Sequence, residues 1–164
     1  MQQRHSTKKR FSGILFDLDG TLIDTIGVYE RAFLQALKEE KRPVEPGLFR
    51  KWYAIGYHLK DIARIVELSE ARINALRMRR DELYRQKLST EAQWIEGAEE
   101  LLTRASAIAP IGVVTGSWMS YLDAMRPRAD ITKYTDVIIA ACKNISPPSP
   151  SPSTPHTAST RTSL

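Results

Sequence analysis

The stretch that most restricts the fold of this sequence is GILFDLDGTL, residues 13–22. An apolar run, Ile14–Phe16, is followed directly by two aspartates, Asp17 and Asp19, that lie one residue apart. A short apolar run of this kind is typical of a strand buried on both faces of a parallel sheet. Such a strand either ends in an ordinary polar turn or presents both carboxylates to one cation and one phosphate. The stretch therefore predicts an α/β fold with a candidate site at the end of its first strand.

Helical and strand patterns alternate along the rest of the chain. Apolar residues recur every three or four positions in four stretches, which predicts helices at 26–37, 48–66, 73–88 and 99–105. Gly56 is expected to break or bend the second of these helices. Apolar runs at 110–115 and 137–140 predict two more strands, and Gly116 and Ser117 are expected to turn the chain from the first of these into another helix. Strands separated by helices predict a parallel sheet.

The net charge of +5 comes from the two ends of the chain. Residues 1–10 carry four basic side chains and residues 143–164 carry two, and neither segment carries an acid. Removing these six leaves 18 basic and 19 acidic residues in between. The segment 11–142 therefore has no basic excess to bind a phosphate backbone, and we expect no nucleic-acid partner.

Membrane and export signals are not apparent in the sequence. No apolar run approaches the roughly 20 residues that a membrane-spanning helix needs, so we expect no membrane association. The first apolar run is interrupted at Asp17, which argues against a signal peptide. The single cysteine, Cys142, excludes an intrachain disulfide framework and fits a reducing compartment. A cytoplasmic location is the resulting expectation.

The two aspartates suggest phosphoryl-transfer chemistry. Asp17 can act as the nucleophile that attacks phosphorus, and Asp19 can give a proton to the leaving oxygen and later take one from water. Mg²⁺ prefers carboxylate and phosphate oxygens, so both aspartates are its candidate ligands. Gly20 allows a close backbone approach, and the amide of Thr21 can hold the transferring phosphoryl group.

Two motifs in this order resemble those of the haloacid dehalogenase-like hydrolases. DLDGT, at 17–21, resembles the first motif of that family, and VVTGS, at 113–117, resembles the second. The resemblance implies that the hydroxyl of Thr115 and the amide of Gly116 bind phosphoryl oxygens, assisted by the helix N-terminus behind them. An aspartate at position 19 is absent from true haloacid dehalogenases, so Asp19 favours a phosphatase or phosphomutase.

The layout resembles the subgroup of phosphoglycolate phosphatases and β-phosphoglucomutase, in which an α-helical cap is inserted between these two motifs. The fold implied is an α/β fold with an incomplete Rossmann-like parallel sheet core. The helical patterns after the first strand are too many for one crossover, which agrees with an inserted lobe. The expected segments are a flexible basic N-terminus at 1–10, a core at 11–24 and 96–142, a helical cap at 25–95, and a disordered Pro/Ser/Thr tail at 143–164.

The resemblance implies a Mg²⁺-dependent phosphatase that acts on small phosphorylated metabolites through an aspartyl phosphate. The alternatives are a phosphomutase with the same intermediate and a non-catalytic fragment or binding protein. Substrate-reading residues are expected in the second helical stretch of the cap, with candidates Tyr57, His58 and Lys60. Neither the particular substrate nor the oligomeric state follows from the sequence.

The family pattern breaks off after the third strand. Family members carry a lysine and further acids at this point, which complete the Mg²⁺ site, whereas here Lys143 lacks that context and no acid follows Asp136. The chain continues instead into a tail with five Pro, six Ser and four Thr in residues 143–164. We therefore expect impaired catalysis, because phosphoryl transfer depends on electrostatic positioning. The tail is expected to be either a natural extension or the product of a truncated or frame-shifted reading.

Overall fold

The computed structural model describes residues 12–141, which form an α/β fold around one parallel sheet. The elements are β1 (Ile14–Asp17), α1 (Ile26–Glu39), α2 (Pro46–Ala54), α3 (Leu59–Ile65), α4 (Glu70–Glu91), α5 (Ala98–Ser106), β2 (Ile111–Trp118), α6 (Met119–Met125), a 3₁₀ turn (Ile131–Lys133) and β3 (Val137–Ala141). The predicted fold class is confirmed. The expectations for 1–10, Cys142, Lys143 and the tail at 143–164 lie outside the described residues.

The three strands lie in the order β1, β2, β3, and both pairs are parallel. Asp17, the last residue of β1, is in register with Val114 of β2. Thr115 follows Val114 directly, so the ends of the two motifs meet at the carboxyl edge of the sheet. In open α/β sheets this edge is where ligands bind.

Within residues 12–141 only one face of the sheet is buried. Ile111 and Val113 are fully buried in the main apolar cluster, whereas Leu15 is 71% exposed and Ile139 is 58% exposed. Successive strand residues point to opposite faces, so the exposed residues share the second face. The prediction that the first strand is buried on both faces is therefore wrong for this part of the chain, because no described element covers the second face.

The end of β2 also differs from the prediction. The strand continues to Trp118, and α6 begins at Met119, whereas Gly116 and Ser117 were expected to form the turn. The pairing with β3 shifts register between Val114 and Trp118, and Trp118 pairs with Ala141. This irregularity keeps the segment extended past Thr115 and places the start of the helix further along the chain.

The helices between β1 and α5 follow the predicted stretches closely. The second stretch is split into α2 and α3 around Gly56, whose φ of +82° is readily adopted only by glycine, so the expected break is confirmed. Helix α4 packs against both α1 and α6. None of the helices within 12–141 has the length and apolar character needed to cross a bilayer.

The segment that follows β1, at 22–24, lies beside the segment that follows α4, at 93–95. The amide of Asp24 donates to the carbonyl of Gln93 at 2.9 Å, and the amide of Ile95 donates to the carbonyl of Leu22 at 2.9 Å. Ile23 and Trp94 form an isolated antiparallel bridge between these bonds. These two chain segments, which flank α1–α4, are therefore held side by side by backbone hydrogen bonds.

Candidate active site

Asp17 lies at the exposed end of β1. The hydroxyl of Thr21 donates to its Oδ2 at 2.8 Å, and both residues are exposed. The Oδ2 atom is therefore held from within the turn, and the carboxylate remains accessible to solvent. An accessible carboxylate at a strand end suits a nucleophile or a metal ligand.

Asp19 is held by two buried hydroxyl groups. Thr25 donates to its Oδ1 at 2.8 Å and Thr115 donates to its Oδ2 at 2.6 Å. Thr25 is 2% exposed and Thr115 is 7% exposed, whereas Asp19 is half-buried. The amide of Ser117 donates to the Thr115 hydroxyl at 2.9 Å and fixes its orientation. The first and second motifs are thus joined through Asp19.

The turn after Asp19 depends on Gly20. Its φ is +73°, and a Cβ at this position would lie 2.5 Å from Cδ1 of Ile26. The Gly20 amide donates to the carbonyl of Ile23 at 2.9 Å, which closes the turn. The backbone angle favours glycine, and a Cβ at this position would also displace the end of the Ile26 side chain. This turn sets the direction in which Asp19 leaves the strand.

Asp17 and Asp19 are of the ligand type that Mg²⁺ prefers, together with phosphate and water oxygens. Mg²⁺ is commonly held by one or two carboxylates together with substrate phosphate oxygens. Asp17 is the better candidate metal ligand, because both carboxylate oxygens of Asp19 already accept hydrogen bonds from hydroxyl groups. Within residues 12–141 no group of three or more His, Cys, Asp or Glu side chains could hold a metal. Substrate phosphate and water could supply further ligands of a bound Mg²⁺.

Gly116 lies at the open side of the site. A Cβ at this position would meet nothing within 4 Å, and the residue lines a cavity that also contains Asp19 in its wall, so a phosphate can approach its backbone closely. The Thr115 hydroxyl donates to Asp19. It would have to turn away from Asp19 to donate to a phosphoryl oxygen.

A cavity of about 660 Å³ lies beside Asp19, between α6 and the end of β2 on one side and helices α1–α4 on the other. Its lining includes Asp19, Gly116, Tyr57 and His58 among the residues proposed from sequence. The other proposed residues, Asp17, Thr21, Lys60 and Thr115, do not line it. The cavity volume lies within the range of small-molecule sites.

Several residues that line the cavity were not among the candidates proposed from the sequence. They are Thr25, Tyr29, Arg77, Arg80, Tyr84 and Tyr121. Arg77, Arg80 and Tyr84 are spaced three and four residues apart on α4, which places them on one helix face. The spacing of Arg77, Arg80 and Tyr84 could have indicated from the sequence that these residues share a helix face. The hydrogen bond from Thr25 to Asp19 is visible only in the folded chain.

Two charged groups of the cavity, Arg80 and Asp81, are paired with each other. Arg80 donates from Nε to Asp81 at 3.0 Å and from Nη1 to the hydroxyl of Tyr29 at 2.7 Å. Burial, with a smaller contribution from the charge of Asp19, raises the pKa of Tyr84 above its usual range. Burial and the charge of Asp81 raise the pKa of Tyr121 to about 12. Both tyrosines are therefore neutral and hold their hydroxyl protons at neutral pH.

Comparison with known proteins agrees with this geometry. A family model described as haloacid dehalogenase-like hydrolase matches residues 14–162. The chain belongs to the haloacid dehalogenase-like hydrolase family. The match continues past residue 142, although the family pattern was expected to break off after the third strand. A comparison with curated proteins gave no match.

Solved structures of this family share the fold. A haloacid dehalogenase-like hydrolase from Streptococcus pneumoniae is 27% identical with a TM-score of 0.67, and the match covers 80% of this chain and 62% of that one. CbbY from Rhodobacter sphaeroides is 22% identical with a TM-score of 0.62, over 79% of this chain and 63% of that one. A predicted phosphoglycolate phosphatase from Haemophilus somnus is 20% identical with a TM-score of 0.66, over 79% and 62%. The chain thus spans less than two thirds of the length of these relatives.

Proposed function

We propose that this member of the haloacid dehalogenase-like family is a Mg²⁺-dependent phosphatase of small phosphorylated metabolites. The observation that supports this most directly is the arrangement of Asp17 and Asp19. Asp17 is an accessible carboxylate at the end of β1, while Asp19, two residues away, is held by the hydroxyls of Thr25 and of Thr115 in the second motif. Such a pair suits a nucleophile and a separate acid/base. CbbY, a structural relative, has been crystallised with phosphate and with xylulose-(1,5)bisphosphate.

In the proposed reaction an oxygen of Asp17 attacks the phosphorus of a phosphate monoester. The bond from phosphorus to the organic oxygen breaks, and a proton on Asp19 passes to that leaving oxygen, which gives an alcohol and an aspartyl phosphate. Water then attacks phosphorus and gives a proton to Asp19. This step releases inorganic phosphate and restores the Asp17 carboxylate, so both aspartates return to their starting state.

The remaining groups bind and shield the substrate. Thr115, Gly116 and the amide of Thr21 are proposed to hold the phosphoryl oxygens, with Tyr57, His58 and Lys60 as candidate contacts to the organic part. Asp17 and Asp19 are the proposed ligands of Mg²⁺. When bound, Mg²⁺ would offset the repulsion between the Asp17 carboxylate and the anionic substrate.

We also propose that residues 25–95 form the cap over this site. The paired segments at 22–24 and 93–95 support these boundaries, because an inserted lobe leaves and rejoins the core at neighbouring points. The cavity lies where α1–α4 face α6 and the end of β2. Closure of the helices over the site would exclude water from the reacting groups.

Hydrolysis of an aryl phosphate by the full chain, with and without Mg²⁺, tests the proposal. We expect slow Mg²⁺-dependent release of phosphate, because the family's further acids do not follow Asp136. The rate should fall by about 10³-fold or more in Asp17→Asn, because this variant lacks the nucleophile. Asp123→Asn is the matched control. Asp123 lies on α6 in an exposed ion pair with Arg126, and its loss should leave the rate unchanged.

Equal inactivity of the wild type and Asp17→Asn would contradict the proposal. The non-catalytic alternative would then be favoured, and it has one supporting observation. Among residues 12–141, no group of three or more His, Cys, Asp or Glu side chains could hold a metal ion.

A further inference from the structure

The cavity beside Asp19 is unusually rich in aromatic rings. Five of the six tyrosines in the chain and one tryptophan line it, namely Tyr29, Tyr53, Tyr57, Tyr84, Trp118 and Tyr121. Aromatic residues make up 8% of the sequence, so their concentration around one cavity is far above the average. They come from α1, α2, the α2–α3 loop, α4 and the β2–α6 junction, and only the fold brings them together.

Most of the buried tyrosine hydroxyls are already bonded to protein groups. The Tyr29 hydroxyl accepts from Arg80 at 2.7 Å. The Tyr84 hydroxyl is bonded to Thr25, and the Tyr121 hydroxyl to Asp81. Three of the five tyrosine hydroxyls in the lining are thus engaged, and these residues offer the cavity mainly their ring surfaces. A flat ring needs only contact area, which such surfaces supply.

The rings are arranged as a surface on the core side of the cavity. Trp118 and Tyr121 are stacked, with centroids 5.5 Å apart and planes inclined by 10°. Tyr84 meets Tyr121 edge-on at 4.9 Å. On the helical side, Tyr53 is 46% exposed and Tyr57 is 39% exposed. Exposed aromatic side chains at the wall of a cavity retain surface that a ligand can cover.

We propose that the site takes phosphate monoesters whose organic group is a planar aromatic ring. This inference rests on the proposed function, which places the phosphoryl group at Asp17 and Thr115 and so directs the organic group into the cavity. The ring is received between the Trp118–Tyr121 stack and Tyr57. The specificity-determining side chains are therefore aromatic, and Tyr57, an exposed residue in the loop between α2 and α3, is a single position at which to test this.

Binding of phosphonates to the full chain tests the inference without turnover. Calorimetry in the presence of Mg²⁺ compares benzylphosphonate, cyclohexylmethylphosphonate and methylphosphonate. The first two ligands match in size and differ in aromatic character. Because aromatic pairs gain about 0.5–1.5 kcal/mol beyond area burial, benzylphosphonate should bind about 2- to 12-fold more tightly than its saturated partner. Methylphosphonate should bind most weakly.

Two substitutions at one position separate the ring of Tyr57 from its hydroxyl. Tyr57→Phe should keep the preference for benzylphosphonate, and Tyr57→Leu should reduce it toward equality. Tyr134→Leu is the matched control, since Tyr134 is the one tyrosine outside the cavity, and it should keep the preference. Far-ultraviolet circular dichroism of each variant checks that the fold is retained.

The outcomes distinguish this inference from the proposed function. A preference for benzylphosphonate without any Mg²⁺-dependent hydrolysis would support the aromatic site and contradict the phosphatase. Hydrolysis without that preference would overturn the inference alone. The inference is also overturned if none of the three phosphonates binds, or if Tyr57→Phe loses as much affinity as Tyr57→Leu, since the hydroxyl would then be the recognised group.

Discussion

At the scale of single residues, two of the three threonine-to-aspartate hydrogen bonds at the site have the same length and differ in burial. Thr25 donates to Asp19 and Thr21 donates to Asp17, each at 2.8 Å. Thr25 is 2% exposed and makes no side-chain capping bond to α1, whereas Thr21 is exposed. Comparing these two bonds therefore tests how much burial adds to the stabilisation from a threonine-to-aspartate hydrogen bond.

Substitution by valine removes each hydroxyl with little change in shape. Thr25→Val should lower the free energy of unfolding by about 1.5–3 kcal/mol, because a buried bond to a carboxylate is lost. Thr21→Val should lower it by about 0.5 kcal/mol or less, since water replaces the hydroxyl. Urea denaturation measures both. Equal losses in the two variants would show that the burial of Thr25 does not strengthen its bond.

The residues that bear the proposed chemistry were largely predictable from the sequence, and their supporting contacts were not. Asp17, Asp19 and Thr115 belong to short motifs after apolar runs, so their neighbours in sequence reveal them. The bond from Thr25 to Asp19 depends instead on how the chain turns at Gly20 into α1. No local pattern encodes that geometry.

At the scale of secondary-structure elements, β2 shows how the two faces of the sheet differ. Val113 is fully buried in the apolar cluster, and its neighbour Val114 is 43% exposed on the opposite face. The sequence shows only a continuous apolar run at these positions. Such a run predicts burial on both faces, but the number of faces covered depends on which other elements pack there.

Alanine substitution at these two positions quantifies the difference. Val113→Ala should lower the free energy of unfolding by about 2 kcal/mol, because two buried methyl groups are lost and a small cavity is left. Val114→Ala on the exposed face should cost about 0.5 kcal/mol. Chemical denaturation of the full chain measures both variants. A cost at Val114 equal to that at Val113 would mean that the second face is covered in solution.

Helix α4 illustrates what an amphipathic pattern does and does not predict. Its apolar residues indicated a helix at 73–88, and the structure has one at Glu70–Glu91. The apolar side chains Ile73, Leu76 and Leu88 pack into the main cluster as expected. Arg77, Arg80 and Tyr84 of the same helix line the cavity, which follows from the packing of α4 against both α1 and α6.

At the scale of the whole molecule, a row of aromatic contacts connects the helical lobe with the sheet. Tyr29 of α1 meets Tyr84 of α4 edge-on at 5.5 Å, Tyr84 meets Tyr121 of α6, and Tyr121 stacks on Trp118 at the end of β2. Because the tyrosine rings in this row are partly or fully removed from water, ionisation of the tyrosine hydroxyls is coupled to unfolding of the protein.

This coupling predicts a loss of stability at high pH. Tyrosines of the unfolded chain lose their protons near pH 10, whereas burial and the charge of Asp81 raise the pKa of Tyr121 to about 12 in the folded protein. The stabilisation is fully present below about pH 10 and decreases as pH rises toward about 12, because the unfolded state then binds fewer protons than the folded state. Unfolding free energies from urea titrations between about pH 9 and pH 11 should fall less steeply in Tyr121→Phe than in the wild type. Identical slopes would show that Tyr121 is accessible to water in the folded molecule and that its ring does not seal the junction between α4 and α6.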